Sequence, residues 1–148
     1  MKSVFNPADN AELIERIDKL TPSSRALWGK MSVSQMLAHC QMIIKVALGE
    51  LQLKRGLMGF LFGRIALKQI VSDQPLKANL PTFKEAKMSA GKDFDTEKAA
   101  LKGYVERFTA GPEVISKDPH PFFGPLTIAE WDILQVKHLD HHLRQFGV

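Results

Sequence analysis

The chain has 148 residues, 45% hydrophobic and 24% charged, the composition of a globular domain, which excludes disordered and fibrous classes. One cysteine, Cys40, excludes an internal disulfide framework and a cysteine-rich zinc site, and a chain of this length buries about 70% of its unfolded surface without such staples. The net charge of +4 is mildly basic, and one domain over residues 1–148 is expected.

The N-terminal Met1-Lys-Ser-Val-Phe-Asn-Pro7 carries no apolar targeting core. A first helix is predicted from Ala8 to Leu20, where Leu13, Ile14, Ile17 and Leu20 recur at helical spacing. Asn6-Pro7 or Asp9 opens it and Thr21-Pro22 closes it. A second is predicted from Val33 to Leu48. Ser32 and Gln35 have the spacing of a capping box. Val33, Met36, Leu37, Cys40, Ile43, Ile44 and Ala47 form its apolar stripe, and Gly49 is its stop signal.

The stretch from Leu57 to Val71 reads as a short helix or lid-like insertion, because Gly56, Gly59 and Gly63 weaken its first half. Its uncharged apolar run, Gly56 to Gly63, is far short of the ~20 residues that span a bilayer. A long polar connection follows through Pro75 and Pro81 to about Gly91. A third main helix is predicted from Thr96 to Ala110, striped by Leu101, Tyr104, Val105 and Phe108 and ended by Gly111-Pro112. After the proline-rich loop Asp118–Pro125, a fourth runs from Thr127 to Phe146. Thr127 and Glu130 form a second capping box. No period-two run or Asn-Gly hairpin signal is present. The simplest architecture is all-α: an antiparallel four-helix bundle with an inserted short helix and long loop after the second helix.

Charge is concentrated in the middle. Between Lys54 and Lys92 stand eight basic residues against Asp73 and Glu85. This reads as a solvated connection, and without interleaved aromatics no nucleic-acid partner is expected. Leu57, Phe60 and Phe62 beside Lys54, Arg55, Arg64 and Lys68 have the chemistry of a membrane-surface segment. The three glycines and the need for core residues argue against stable membrane association.

The histidines are the informative residues. His138 and His142, four apart, share one face of the last helix, and two imidazoles so placed reach one metal ion. His141 is rotated about 100° away from His142. A tight divalent site usually needs a third ligand. His39, bordering the stripe of the second helix, meets the pair if the two helices are neighbours. The same pattern fits a hydrogen-bonded core histidine beside a solvated pair. Leu139 follows His138, so the glutamate of HExxH is missing and a zincin-type protease is not supported.

Three passages carry a resemblance to a known family: Leu27 to Gln41 with its Met-Leu-Ala-His-Cys-Gln ending, His120-Pro-Phe-Phe-Gly-Pro-Leu-Thr127, and Trp131 to Phe146 ending His138-x-x-His-His-Leu-x-Gln-Phe. Together they resemble the DinB-like (DinB/YfiT-like) superfamily, in a branch of unknown function, over nearly the whole chain. The resemblance implies a four-helix bundle holding a divalent metal, zinc or nickel foremost, through His39, His138 and His142. It also implies a homodimer, a small-molecule substrate and, from characterised relatives, a low-molecular-weight thiol. A cytoplasmic, metal-dependent transferase or hydrolase is the expectation. A non-catalytic dimerisation module with structural or incidental metal binding is the alternative.

Other residues are candidates for the pocket. Gln35 lies one turn before His39, and Trp131 about two turns before His138. His120, Phe122 and Phe123 precede the last helix, where they can close a mouth. Core packing is the slightly favoured reading for Trp131, Phe122 and Phe123. Cys40 turns away from His39 and reads as a buried small hydrophobe. Glu130, Asp132 and Asp140 point in other directions, so no general acid or base is identified.

Overall fold

The computed structural model describes residues 2–78 and 86–148. Over these residues it is all-helical, with five α-helices: α1 (Pro7–Asp18), α2 (Val33–Ala47), α3 (Leu57–Ile70), α4 (Phe94–Glu106) and α5 (Ile128–Gln145). Among the described residues there is no strand, only an isolated bridge between His120 and Gly124. No described helix is long and apolar enough to cross a membrane.

The helix ends follow the local chemistry of the sequence. Asn6 caps α1 by accepting from the backbone N–H groups of Ala8 and Asp9, and Pro7 occupies the first turn, where no N–H is needed. Both capping boxes form: Ser32 with Gln35 opens α2, and Thr127 with Glu130 opens α5. Gly49, at φ +75°, reverses the chain after α2. Asp93 caps α4 two residues earlier than the apolar stripe suggests. Beyond Glu106 the coil tightens into a 3₁₀ turn, Arg107–Ala110, and Gly111 ends it at φ +110°.

α1 packs on α4 and α5, and α2 packs on the same two partners. The apolar stripes meet in one cluster that includes Leu13, Ile17, Met36, Ile44, Leu101 and Leu139. Gly56, Gly59 and Gly63 do not shorten α3, which extends over 14 residues. The reason is packing. A Cβ at Gly59 or Gly63 would stand 2.8 or 2.1 Å from the carbonyl oxygen of Phe122, so these glycines let the helix lie directly on the loop before α5. The polar connection after α3 contains residues 79–85, Pro81 among them, which lie outside the described residues.

Candidate metal centre

His39 lies in the middle of α2, and His138 and His142 lie one turn apart on α5. Because α2 packs on α5, the three rings meet. One ligand atom from each lies within 4.8 Å of the other two. His39 and His142 are buried and His138 is partly buried. The Nε2 atoms of His39 and His138 are 3.1 Å apart. Two nitrogens bound to one tetrahedral ion at ordinary zinc–nitrogen lengths stand about 3.3 Å apart, so the spacing fits a shared ion.

The tautomers are set from behind. His39 Nδ1 lies 2.8 Å from the carbonyl oxygen of Ala86. A carbonyl only accepts, so Nδ1 carries the proton and Nε2 keeps its lone pair. His142 Nδ1 lies 2.8 Å from Gln145 Oε1, while Gln145 Nε2 donates to the carbonyl of Trp28 at 2.7 Å. That second bond orients the amide, so the ring nitrogen is again the donor. Both rings therefore present Nε2 lone pairs to the centre, as outer-shell partners do in metal sites.

Burial also keeps the rings uncharged. It is the largest influence holding His39, His138 and His142 below the ordinary histidine range, with His142 at about 3. Neighbouring histidines add to the shift at His138 and His142, and the Ala86 carbonyl opposes it at His39. Neutral imidazole is the ligating form. Among the described residues no carboxylate joins the cluster. Glu130 closes its capping box, Asp132 accepts from the N–H of Val4, and Asp140 pairs with Arg16.

The other candidates fall into distinct places. Gln35 does not face the histidines: its Oε1 accepts from Ser32 N–H, and its Nε2 donates to the Met88 carbonyl. Gln35 and His39 thus tie adjacent turns of α2 to the segment Ala86–Met88. His120 is buried, stacked on Phe123 with centroids 4.5 Å apart and tilted against Trp131 at 5.4 Å. Its Nδ1 accepts from the N–H groups of Phe122 and Phe123, which leaves its proton on Nε2. Trp131 and Phe123 belong to the core cluster, and Phe122 is packed against it. Cys40 is buried with its Sγ 3.7 Å from Met36 Sδ, and burial pushes its thiol pKa up. His141 sits against Trp28, outside the triad.

Two glutamines of α5 escape a spacing argument made only for ligands. Gln145 stands three residues after His142, a signal readable once an outer shell is sought. Gln135 stands three before His138 on the stripe Trp131, Gln135, His138, His142. It is fully buried, and neither polar atom of its amide has a partner among the described residues. The Ala86 carbonyl has no sequence signal, because it reaches His39 across 47 positions.

Fold and site together define an all-helical protein with a three-histidine cluster that could hold a metal ion. The profile of a family described as "Protein of unknown function (DUF1569)" matches residues 4–147, and the chain belongs to that family. No curated protein and no solved structure matches the chain.

Proposed function

We propose that the protein is a metal-dependent enzyme of the DinB-like type, in which His39, His138 and His142 hold one divalent ion. The carrying observation is the convergence of three neutral imidazoles, two with their Nδ1 protons engaged by carbonyl oxygens. On this reading α1, α2, α4 and α5 form the four-helix bundle and α3 is the insertion. Three protein ligands leave coordination positions open, as catalytic sites do and structural zinc sites usually do not. A bound ion lowers the pKa of a coordinated water or thiol and so supplies a nucleophile near neutral pH. The chain's own part is to present the lone pairs, hold the rings neutral and keep the site in a poorly hydrated interior. Gln135, buried one turn before His138 without a partner among the described residues, is the side chain suited to hydrogen-bond a small molecule brought there. A low-molecular-weight thiol with an electrophilic co-substrate is the proposed substrate class.

The test is metal binding by the full chain after chelation and reloading with zinc or nickel. One ion per chain is expected. His142→Ala should abolish tight binding, and Gln145→Ala should weaken it about 10- to 100-fold. Unchanged stoichiometry and affinity in His142→Ala would overturn the assignment. A non-catalytic reading rests on the 3.1 Å contact, which also suits His138 Nε2–H donating to His39 Nε2. It predicts full stability in chelator and no turnover of small thiols with or without metal.

A further inference from the structure

The insertion helix turns its apolar side outward. Six large hydrophobic residues of α3 are exposed: Leu57 at 73%, Ile65 at 69%, Phe60 at 68%, Met58 at 63%, Leu61 at 55% and Phe62 at 48%. Their order is regular. Leu57, Leu61 and Ile65 form one row at four-residue spacing, and Met58 with Phe62 forms the next. Gly59, Gly63 and Leu67 form a buried row on the opposite side.

The glycine row makes this exposure a fixed feature. The close approach of Gly59 and Gly63 to the Phe122 backbone holds one side of α3 to the loop. Rolling the helix to bury Leu61 and Ile65 would put side chains where only hydrogen fits. The helix is also tied at its middle and at its C-terminal end. Arg64 donates to the carbonyl of Pro125, and Lys137 donates to the carbonyls of Ile70 and Gln74. The two objections the sequence raises to a surface role therefore disappear, since the glycines pack the helix and the hydrophobic residues are not core.

Charge selects the partner. No acidic residue lies between Glu50 and Asp73, a stretch holding Lys54, Arg55, Arg64 and Lys68, all exposed. Of these, Arg64 has a carboxylate neighbour, Glu130 at 3.7 Å. A two-fold contact with a second copy would bring both sets of cations together. An anionic lipid surface answers them and accepts apolar side chains to a depth of about 5–10 Å. We propose that α3 is a docking face for anionic membrane surfaces, with Leu57, Met58, Leu61, Phe62 and Ile65 entering the headgroup boundary and the basic residues meeting lipid phosphates.

The test is co-sedimentation of the full chain with vesicles of equimolar phosphatidylglycerol and phosphatidylcholine, against phosphatidylcholine alone. The mixed vesicles should retain the protein at least about tenfold better. Leu61→Asn with Phe62→Asn should lower retention at least about tenfold, and Lys54→Gln with Lys68→Gln should lower it about fivefold per charge removed. All four positions are exposed, so unchanged circular dichroism is expected. A blue shift of added emission in Phe62→Trp on mixing with vesicles marks insertion. Absence of binding, or equal retention on neutral vesicles, overturns the proposal. So does a dimer in buffer that Leu61→Asn with Phe62→Asn dissociates, which would assign the face to a second copy.

Discussion

Helices α5 and α3 treat their side chains in opposite ways. α5 is rich in polar residues, yet it buries Gln135, His142 and Gln145 and answers His142 and Gln145 with partners inside the fold. α3 is dominated by Leu, Met, Phe and Ile and leaves six of them in the open. The difference follows from neighbours. α5 lies against α1 and α2, so one whole side is enclosed whatever its polarity. α3 rests on a loop along its glycine row, so the large residues on its outer side are left without a covering helix. Hydropathy states what a side chain would lose in water. Packing decides whether it leaves water, and buried polar groups persist where hydrogen bonds meet them.

The largest expected effect comes from the enclosed helix. Trp131 is 2% exposed at the head of the α5 stripe. Trp131→Ala should lower unfolding free energy by about 3–5 kcal/mol in denaturant titration. A loss below about 1 kcal/mol would mean that α5 is not enclosed as described. Gly63→Ala comes next, because its Cβ would meet backbone rather than a movable side chain. A loss of about 1–3 kcal/mol is expected, with faster hydrogen exchange in α3. Gly103 supplies the control. A Cβ there meets nothing within 4 Å, so Gly103→Ala should stabilise α4 by about 0.5–1 kcal/mol. If both glycines responded alike, close packing of α3 would be the wrong explanation.

The contrast also shows what the sequence makes legible. Capping boxes and stripes are local signals, and they locate α2 and α5 to within a residue. The His138–His142 pair is local too, and His39 follows from α2 packing on α5. Gln35 misleads because helical spacing gives direction but not competition: its amide is claimed by the Ser32 N–H and the Met88 carbonyl. The glycines of α3 mislead for the opposite reason. Their low helix propensity is local, while the Phe122 backbone that makes them necessary lies about 60 positions away. Ala86, as a backbone carbonyl, leaves no trace in residue type.

Acid should act on the enclosed region and leave the exposed one alone. Burial holds His120 down to about 4 and His142 down to about 3. Below about pH 6.5 the unfolded chain takes up protons at these positions while the folded chain does not. Stability is therefore undiminished above that pH and falls as pH drops toward the folded values, by about 1.4 kcal/mol per pH unit for each such histidine. Chelated protein titrated between pH 7 and pH 4.5 should show this slope, and His120→Gln should flatten it by one histidine's share. A slope unchanged by His120→Gln would show that this ring is not held neutral.

The smallest expected effect is the sharpest test of the contrast. Ile65 is a large β-branched residue in the middle of α3, yet it is 69% exposed. Replacing it by Ser removes almost no buried surface, so Ile65→Ser in isolated protein should change unfolding free energy by no more than about 0.5 kcal/mol. Leu67, two residues on, is 1% exposed and packed in the core. Leu67→Ser should cost more than about 2 kcal/mol, through lost burial and a hydroxyl placed among apolar atoms. The two variants share a helix and a closely similar chemical change, so propensity largely cancels and burial alone separates them. A cost above about 1 kcal/mol for Ile65→Ser would mean that the outer row is covered in solution. Dependence of that cost on protein concentration would then identify the cover as another copy of the chain. A near-zero cost, together with lost vesicle retention in the same variant, would show a row whose burial waits for a surface outside the fold.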